Sequence, residues 1–165
     1  MSLRVGIGYD SHRFAPGGPM ILGGVRVPSE FSLVGHSDAD AVAHAVTDAV
    51  LGACAAGDIG ALFPDTDAAN KGKDSIAMLA AAVQHIDAMG YEVCNIDITV
   101  IAEQPKIGPY RSAMIDILSH TLRVKPDAVS IKGKTNEGMG WIGRNEGLAC
   151  IAVATVSQST AALDA

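Results

Sequence analysis

Residues 38–56 place the strongest constraint on the fold. They are dominated by Ala, Val and Leu, yet they carry Asp40, His44 and Asp48. Ser37 or Asp38 supplies a cap and Gly57 follows the end, so the pattern predicts a helix over 38–56. The spacings i, i+4 and i+8 put the three polar side chains on one stripe. A charged stripe on an apolar helix needs partners, because an unpaired buried charge is costly. The fold has to bring other polar groups to this helix.

Asp10-Ser11-His12 is the best source of such groups. Leu3, Val5 and Ile7 alternate, which predicts a strand over 3–14. Residues i and i+2 of a strand share a face, so Asp10 and His12 converge on one point. Two imidazoles and one carboxylate suit zinc, and three protein ligands with an open fourth position make the catalytic arrangement. The alternative is that His12 and His44 are ordinary histidines, satisfied at the surface or in the core. Spacing alone does not bring His44 to the other two.

The remaining segments fill in an architecture. Residues 21–28 predict a short hairpin turning at Gly23-Gly24. Residues 58–73 read as a long loop of the kind that often serves as a lid or binding loop. Helices are expected over 74–89, ended by Gly90, and over 110–123. Strands are expected over 91–103, with Ile96, Ile98 and Val100 on one face, over 129–134 and over 148–156. Between the last two lies a Gly-rich loop at 136–147. This order implies an α/β fold (an α+β sandwich) with a mixed β-sheet and helices packed on one face. The 165 residues suit one catalytic domain, 1–157, followed by a flexible C-terminal tail, 158–165.

Composition then excludes whole classes of function. A net charge of -6 argues against nucleic-acid or membrane binding, which needs a basic face. It leaves room for a small phosphorylated ligand, since a bound cation inverts the local field. The chain is 48% hydrophobic but 4% aromatic, so part of its apolar surface is expected to be hidden in an oligomer. Cys54, Cys94 and Cys150 form no CxxC and read as small buried hydrophobes in a reducing compartment. No signal core or membrane span is evident, so a cytoplasmic location is expected.

Several groups suit a phosphate. His36 and Ser37 fall at the start of the first helix, where free N–H groups and the macrodipole favour anions; plain capping by Ser37 or Asp38 is a compatible alternative. Lys106, in a tight loop after a strand, can reach a phosphate or simply be solvated. Glu137, in the run Lys134-Thr135-Asn136-Glu137-Gly138, suits a hard cation such as Mg²⁺, or else belongs to a polar turn. Asp65 and Asp67 are either ligands or Asx-turn residues.

Taken together, the segments resemble the family of 2-C-methyl-D-erythritol 2,4-cyclodiphosphate synthases. The matching pieces are G-x-D-x-H at Gly8 to His12, I-L-G-G-V at Ile21 to Val25, and H-S-D-x-D at His36 to Asp40 with His44 and Thr47 to Ala49. They continue with G-D-I-G-x-L-F-P-D-T-D at Gly57 to Asp67, Q-x-P-K near Gln104 to Lys106, and G-x-G-R-x-E-G near Gly140 to Gly147. The resemblance runs from about Arg4 to Val156, and the order and spacing of the pieces make it specific.

The resemblance implies a homotrimer with active sites between subunits. It implies that the 2-phosphate of a cytidine diphosphate-methylerythritol attacks the β-phosphorus and CMP leaves. Zinc is then held by Asp10, His12 and His44, and a second divalent ion, Mg²⁺ or Mn²⁺, lies near Glu137. His36 and Thr135 match positions that stabilise the transition state. The loop Ala102, Glu103, Gln104, Pro105, Lys106, Ile107 and Gly108 matches the cytidine-phosphate side. Asp58, Ile59 and Gly60, with Phe63, Pro64, Asp65, Thr66 and Asp67, match the pocket around the methylerythritol. Asp10, His12, His36, Ser37, Lys134, Thr135, Asn136, Glu137, Trp141 and Arg144 complete the substrate-contacting set.

The sequence departs from the family pattern at Asn136, where Thr is common, Trp141, where Phe is common, and Asn145, where Gly is common. Around a three-fold axis, Arg144 and Trp141 suit an isoprenoid diphosphate in a central channel. The alternative is that Arg144 and Glu146 pair across subunits. Two rival functions are a zinc-dependent phosphohydrolase with the same triad and a trimeric module that senses a cytidine nucleotide without turnover. Product analysis separates them.

Overall fold

In the computed structural model, which describes residues 2–64 and 66–159, the expected N-terminal strand is the longest in the molecule: β1 runs from Leu3 to Pro16. Strands β2 (Met20–Leu22) and β3 (Val25–Val27) form the predicted hairpin as a separate two-stranded sheet. Strand β4 (Phe31–Val34) was not foreseen. It is a four-residue edge strand with weak alternation, and its pairing partner is Arg13–Pro16 of β1. Strand formation here is set by the neighbour rather than by local pattern.

Three more strands complete the main sheet. Strand β5 (Tyr91–Ile101) ends two residues before the expected 103. Strands β6 (Val129–Lys134) and β7 (Gly147–Gln158) follow. The order is β4-β1-β7-β5-β6. Only the β5–β6 pair is parallel, and the helix over Arg111–Leu122 makes the crossover that such a pair requires. The sheet is therefore mixed, as expected.

Helix α1 spans Ala41–Ala53 rather than 38–56. Its cap is Asp40, not Ser37 or Asp38. The Asp40 carboxylate accepts N–H bonds from Val42 and Ala43 of the helix and from Gly23 and Gly24 of the hairpin turn. Asp40 thus leaves the expected polar stripe and ties the hairpin to the helix. Its carboxyl is fully buried, and burial raises its pKa against the lowering effect of these donors. The supposed loop 58–73 contains a short helix α2 (Ile59–Leu62), capped by Asp58, and a 3-10 turn at Ala68–Asn70. Helices α3 (Ser75–Ala88) and α4 (Arg111–Leu122) lie where the sequence placed them. A single turn, α5 (Gly140–Gly143), interrupts the Gly-rich loop.

All three long helices pack on one face of the sheet. Ile96, Ile98 and Val100 of β5 and Ala152, Ala154 and Val156 of β7 are buried beneath them. Helix α1 sits directly on β1 because β1 presents Gly6 and Gly8 to it. A Cβ on Gly6 would stand 2.1 Å from the Ala49 carbonyl oxygen, and one on Gly8 1.9 Å from that of Ala45. This close approach brings His44 down to the strand. The opposite face is bare: Leu3, Val5, Ile7 and Tyr9 are 66%, 66%, 69% and 56% exposed. Cys54 and Cys150 are buried and Cys94 is half-buried. Among the described residues no helix is long and apolar enough to cross a membrane. Of the expected tail, residues 160–165 lie outside the described residues.

Candidate metal centre and two clefts

The helix-to-strand contact brings together the three side chains singled out from sequence. Asp10 Oδ2 lies 2.9 Å from His12 Nε2 and 3.0 Å from His44 Nδ1, and the two imidazole nitrogens are 3.4 Å apart. This is the one cluster of three metal-type ligands found among the described residues. His12 Nδ1–H donates to the Val34 carbonyl at 2.9 Å, which leaves Nε2 as a bare acceptor facing Asp10. A carboxylate oxygen and imidazole lone pairs converging at this range repel unless a cation lies between them. Ligands at about 2.0–2.1 Å on a tetrahedral zinc stand roughly 3.3 Å apart, close to the spacing seen. The donor set fits a zinc-type ion.

The electrostatics agree. Burial works to raise the Asp10 pKa, but hydrogen bonds and charge interactions with His12 and His44 outweigh it and hold it at about 2. Burial works to lower that of His12, and the Asp10 carboxylate overcomes it, so the His12 pKa is raised. Asp48, the last residue of the expected stripe, turns away: its carboxylate accepts the Ile59 N–H at 2.7 Å. Burial, with the charges of Asp58 and Asp10, raises its pKa.

A cavity of about 220 Å³ opens on this cluster, lined by His12, His36, Ser37, His44, Ile59, Gly60, Phe63, Asn70 and Met78. The segment 58–73 is stitched to it. Asp58 caps α2 through the Ala61 N–H, the Asn70 amide donates to the Pro64 carbonyl, and the Gly72 N–H donates to the His36 carbonyl. The Lys73 ammonium stands 4.7 Å over the Phe63 ring. Thr66 and Asp67 lie in the exposed turn that follows, and Asp65 lies outside the described residues. The expectation that His36 and Ser37 sit at the open N-terminus of a helix does not hold. The first N–H groups of α1 are occupied by Asp40, and both residues enter the cavity from the segment between β4 and α1.

A second cleft of about 280 Å³ lies at the ends of β5 and β6. Ala102, Pro105, Lys106, Ile107, Gly108, Lys134 and Thr135 line it together with Arg111. Gln104 is in the same loop but outside the lining. Glu103 points its carboxylate at the backbone, accepting the Asn136 and Gly138 N–H groups at 2.9 and 3.2 Å. It thereby pins the turn that carries Glu137, whose φ is +55°. The Thr135 hydroxyl accepts the Glu137 N–H at 3.4 Å.

The two clefts share no lining residue. Strands β1 and β5 point the same way with β7 between them, and Asp10 and Val100 both pair with Cys150. Two strand spacings, about 10 Å, therefore separate the clefts at this level. Glu137 does not join the three-residue cluster. Trp141, 38% exposed, shares a shallow open cavity with Ser11, His12, Arg13 and Glu146. Arg144 Nε donates to Glu146 at 2.6 Å within the one chain, both side chains being exposed. Asn145 has φ +60°, a conformation that favours Gly but admits Asn.

Sequence reasoning missed five contributors: the Val34 carbonyl, Ser75, Asn70 and Met78 around the first cavity and Arg111 in the second cleft. Asn70 and Met78 carry no local signal. Ser75 begins a helix directly after Asp74 and is indistinguishable, in sequence, from an ordinary helix start.

Residues 3–157 match the sequence profile described as the YgbB family. The 2-C-methyl-D-erythritol 2,4-cyclodiphosphate synthase of Gemmatimonas aurantiaca is 65% identical over 154 residues, covering 93% of each chain. A solved structure of IspF from Plasmodium falciparum in a CDP complex superposes with a TM-score of 0.85 at 33% identity, covering 96% of this chain and 98% of that one. Another, of a 2C-methyl-D-erythritol-2,4-cyclodiphosphate synthase in a CDP-bound form, gives a TM-score of 0.86 at 38% identity, covering 93% of this chain and all 100% of the other.

Proposed function

The chain belongs to the YgbB family and has 2-C-methyl-D-erythritol 2,4-cyclodiphosphate synthase activity in the non-mevalonate isoprenoid pathway; from that premise we propose how its residues divide the work. The observation that carries the proposal is the convergence of Asp10 Oδ2, His12 Nε2 and His44 Nδ1 on one point. These three residues hold zinc. A zinc ion held by them would supply a Lewis acid that neutralises phosphate charge.

The substrate is 4-diphosphocytidyl-2-C-methyl-D-erythritol 2-phosphate. An oxygen of its 2-phosphate forms a bond to the β-phosphorus, the bond from that phosphorus to the α-phosphate oxygen breaks, and CMP departs with the electron pair. Both reacting groups belong to one molecule and both are anionic. Positioning and charge neutralisation therefore supply most of the acceleration, and no protein nucleophile is needed. Asp58, Ile59, Gly60 and the segment from Phe63 to Asp67 enclose the methylerythritol. His36 and Ser37 meet the phosphates beside the triad, and Thr135 supports the developing charge from the other side. Lys106, with the loop Ala102 to Gly108 and Lys134, takes the cytidine diphosphate portion. The CDP complexes of the two similar structures support a cytidine nucleotide as the ligand. Glu137 would hold a second cation, Mg²⁺ or Mn²⁺, because a hard oxygen donor suits such an ion, and that ion would supply further charge neutralisation.

One chain does not bring the two clefts into contact, and its outer sheet face is apolar and uncovered. Both facts support a homotrimer in which the metal cavity of one subunit meets the cytidine cleft of its neighbour. A separate proposal is that an isoprenoid diphosphate binds near Arg144 on the three-fold axis of such a trimer. The decisive experiment incubates purified protein with the cytidyl substrate, zinc and Mg²⁺. Release of CMP together with a cyclic diphosphate in the phosphorus spectrum supports this reading. An open phosphate product would identify a hydrolase, and nucleotide binding without turnover would identify a sensor.

A further inference from the structure

We propose that Ser75 and Asp38 are positioning residues for the metal centre, forming an Asp38–Ser75–His44 relay that keeps the His44 proton on Nε2 and so presents Nδ1 to the ion. The proposal rests on the zinc reading above. Ser75 is the first residue of α3 and is fully buried. Its hydroxyl does not serve the helix, since the cap is Asp74, which accepts the Ile76 N–H at 2.8 Å.

A hydroxyl has one hydrogen to give and two lone pairs to offer. Ser75 gives its hydrogen to the Asp38 carboxylate. That carboxylate also accepts the Ser75 N–H at 3.1 Å and the Asp40 N–H at 3.2 Å, so it is held from three sides. The Ser75 oxygen is then an acceptor only, and it lies 2.8 Å from His44 Nε2. A hydrogen bond across that gap requires the proton on Nε2. The Ser37 hydroxyl, 3.0 Å from the same nitrogen, is a second acceptor. With Nε2 protonated, the lone pair of neutral His44 is on Nδ1, which faces Asp10 Oδ2 at 3.0 Å.

The same outcome is reached at His12 by other means. There a main-chain carbonyl, that of Val34, holds the outer nitrogen. The two imidazoles thus use opposite tautomers, and only the one on α1 depends on side chains. A carboxylate at the far end of the relay also makes the imidazole a stronger donor to a cation, and the loss of such outer partners typically weakens metal binding by about 10–100-fold.

The test titrates zinc into metal-free wild type, Ser75→Ala, Ser75→Thr, Asp38→Asn and His44→Ala against a chromophoric chelator, and records the melting temperature of each metal-free protein. Ser75→Ala and Asp38→Asn are expected to bind zinc about 10–100-fold more weakly. The metal-free melting temperature of Ser75→Ala should stay close to wild type, and Ser75→Thr, which keeps the hydroxyl, should recover most of the affinity. Wild-type affinity in Ser75→Ala overturns the proposal, as does a loss that a normally folded Ser75→Thr fails to recover. If Ser75→Thr is destabilised, unchanged affinity in Asp38→Asn overturns it instead. A wild type that takes up no zinc overturns the metal reading and this proposal with it. Zinc binding lost in His44→Ala but unchanged in Ser75→Ala overturns the relay alone.

Discussion

The cavity beside β1 gathers acceptors, with Asp10, His12 and His44 turned inward, whereas the cleft at the ends of β5 and β6 gathers the cationic side chains of Lys106, Arg111 and Lys134. The first is held by hydrogen bonds to Val34, Ser37 and Ser75. The second lies among loop residues around an apolar wall of Ala102, Pro105 and Ile107. One side is built to take a cation and the other to take an anion directly. A diphosphate that carries a nucleoside at one end and meets a metal at the other needs both, and within one chain they stand apart. A bare apolar sheet face accompanies the candidate metal site in the same chain.

The sharpest way to break the contrast is to remove a metal ligand. His44→Ala is expected to lose bound zinc and to lower kcat by on the order of 10²–10³ or more, with the fold intact. Stoichiometric zinc in the purified variant would show that His44 is not a ligand. The complementary variant is Ile7→Glu on the outer face, where Ile7 is 69% exposed in the single chain. If this face is buried in the proposed trimer, an unpaired carboxylate there costs several kcal/mol and the assembly should dissociate on sedimentation. Activity should fall with it while zinc binding persists. A monomer that retains full turnover would contradict the shared active site.

Smaller effects should fall on the cationic side. Lys106→Ala removes a charge-assisted hydrogen bond worth about 1.5–3 kcal/mol, so kcat/KM should drop roughly 10- to 150-fold with zinc content unchanged. Glu137→Gln should raise the Mg²⁺ concentration needed for half-maximal rate and leave zinc in place. An unchanged metal titration removes Glu137 from that role. The smallest effect is expected at Arg144, which already has Glu146 as its partner at 2.6 Å. Arg144→Ala should abolish the thermal stabilisation that geranyl or farnesyl diphosphate is expected to give wild type through binding to the native state. Equal shifts in both proteins would exclude Arg144 as the diphosphate anchor. No shift in wild type would make the channel structural.

Much of this was legible in the chain itself. The period-two alternation of Leu3, Val5 and Ile7 placed β1 and put Asp10 and His12 on one face. The hairpin at Gly23-Gly24, the helix ended by Gly90, and the buried face of Ile96, Ile98 and Val100 followed from equally local patterns. Such patterns report which way a side chain points relative to its own element, because backbone geometry fixes that within a few residues. They do not report what it meets. Asp40 looked like the first member of a polar stripe and is instead the cap that binds the hairpin turn. Asp48 looked like the last member of that stripe and instead accepts the Ile59 N–H. The short strand β4 exists only because the far end of β1 pairs with it. The choice of ring nitrogen at each histidine depends on a carbonyl 22 residues away for His12 and a hydroxyl 31 residues away for His44. Sequence periodicity determined the faces; the direction of each proton at the metal centre was decided only when α1, α3 and the segment after β4 packed together, because a hydrogen bond is satisfied by whichever group the fold brings within about 3 Å.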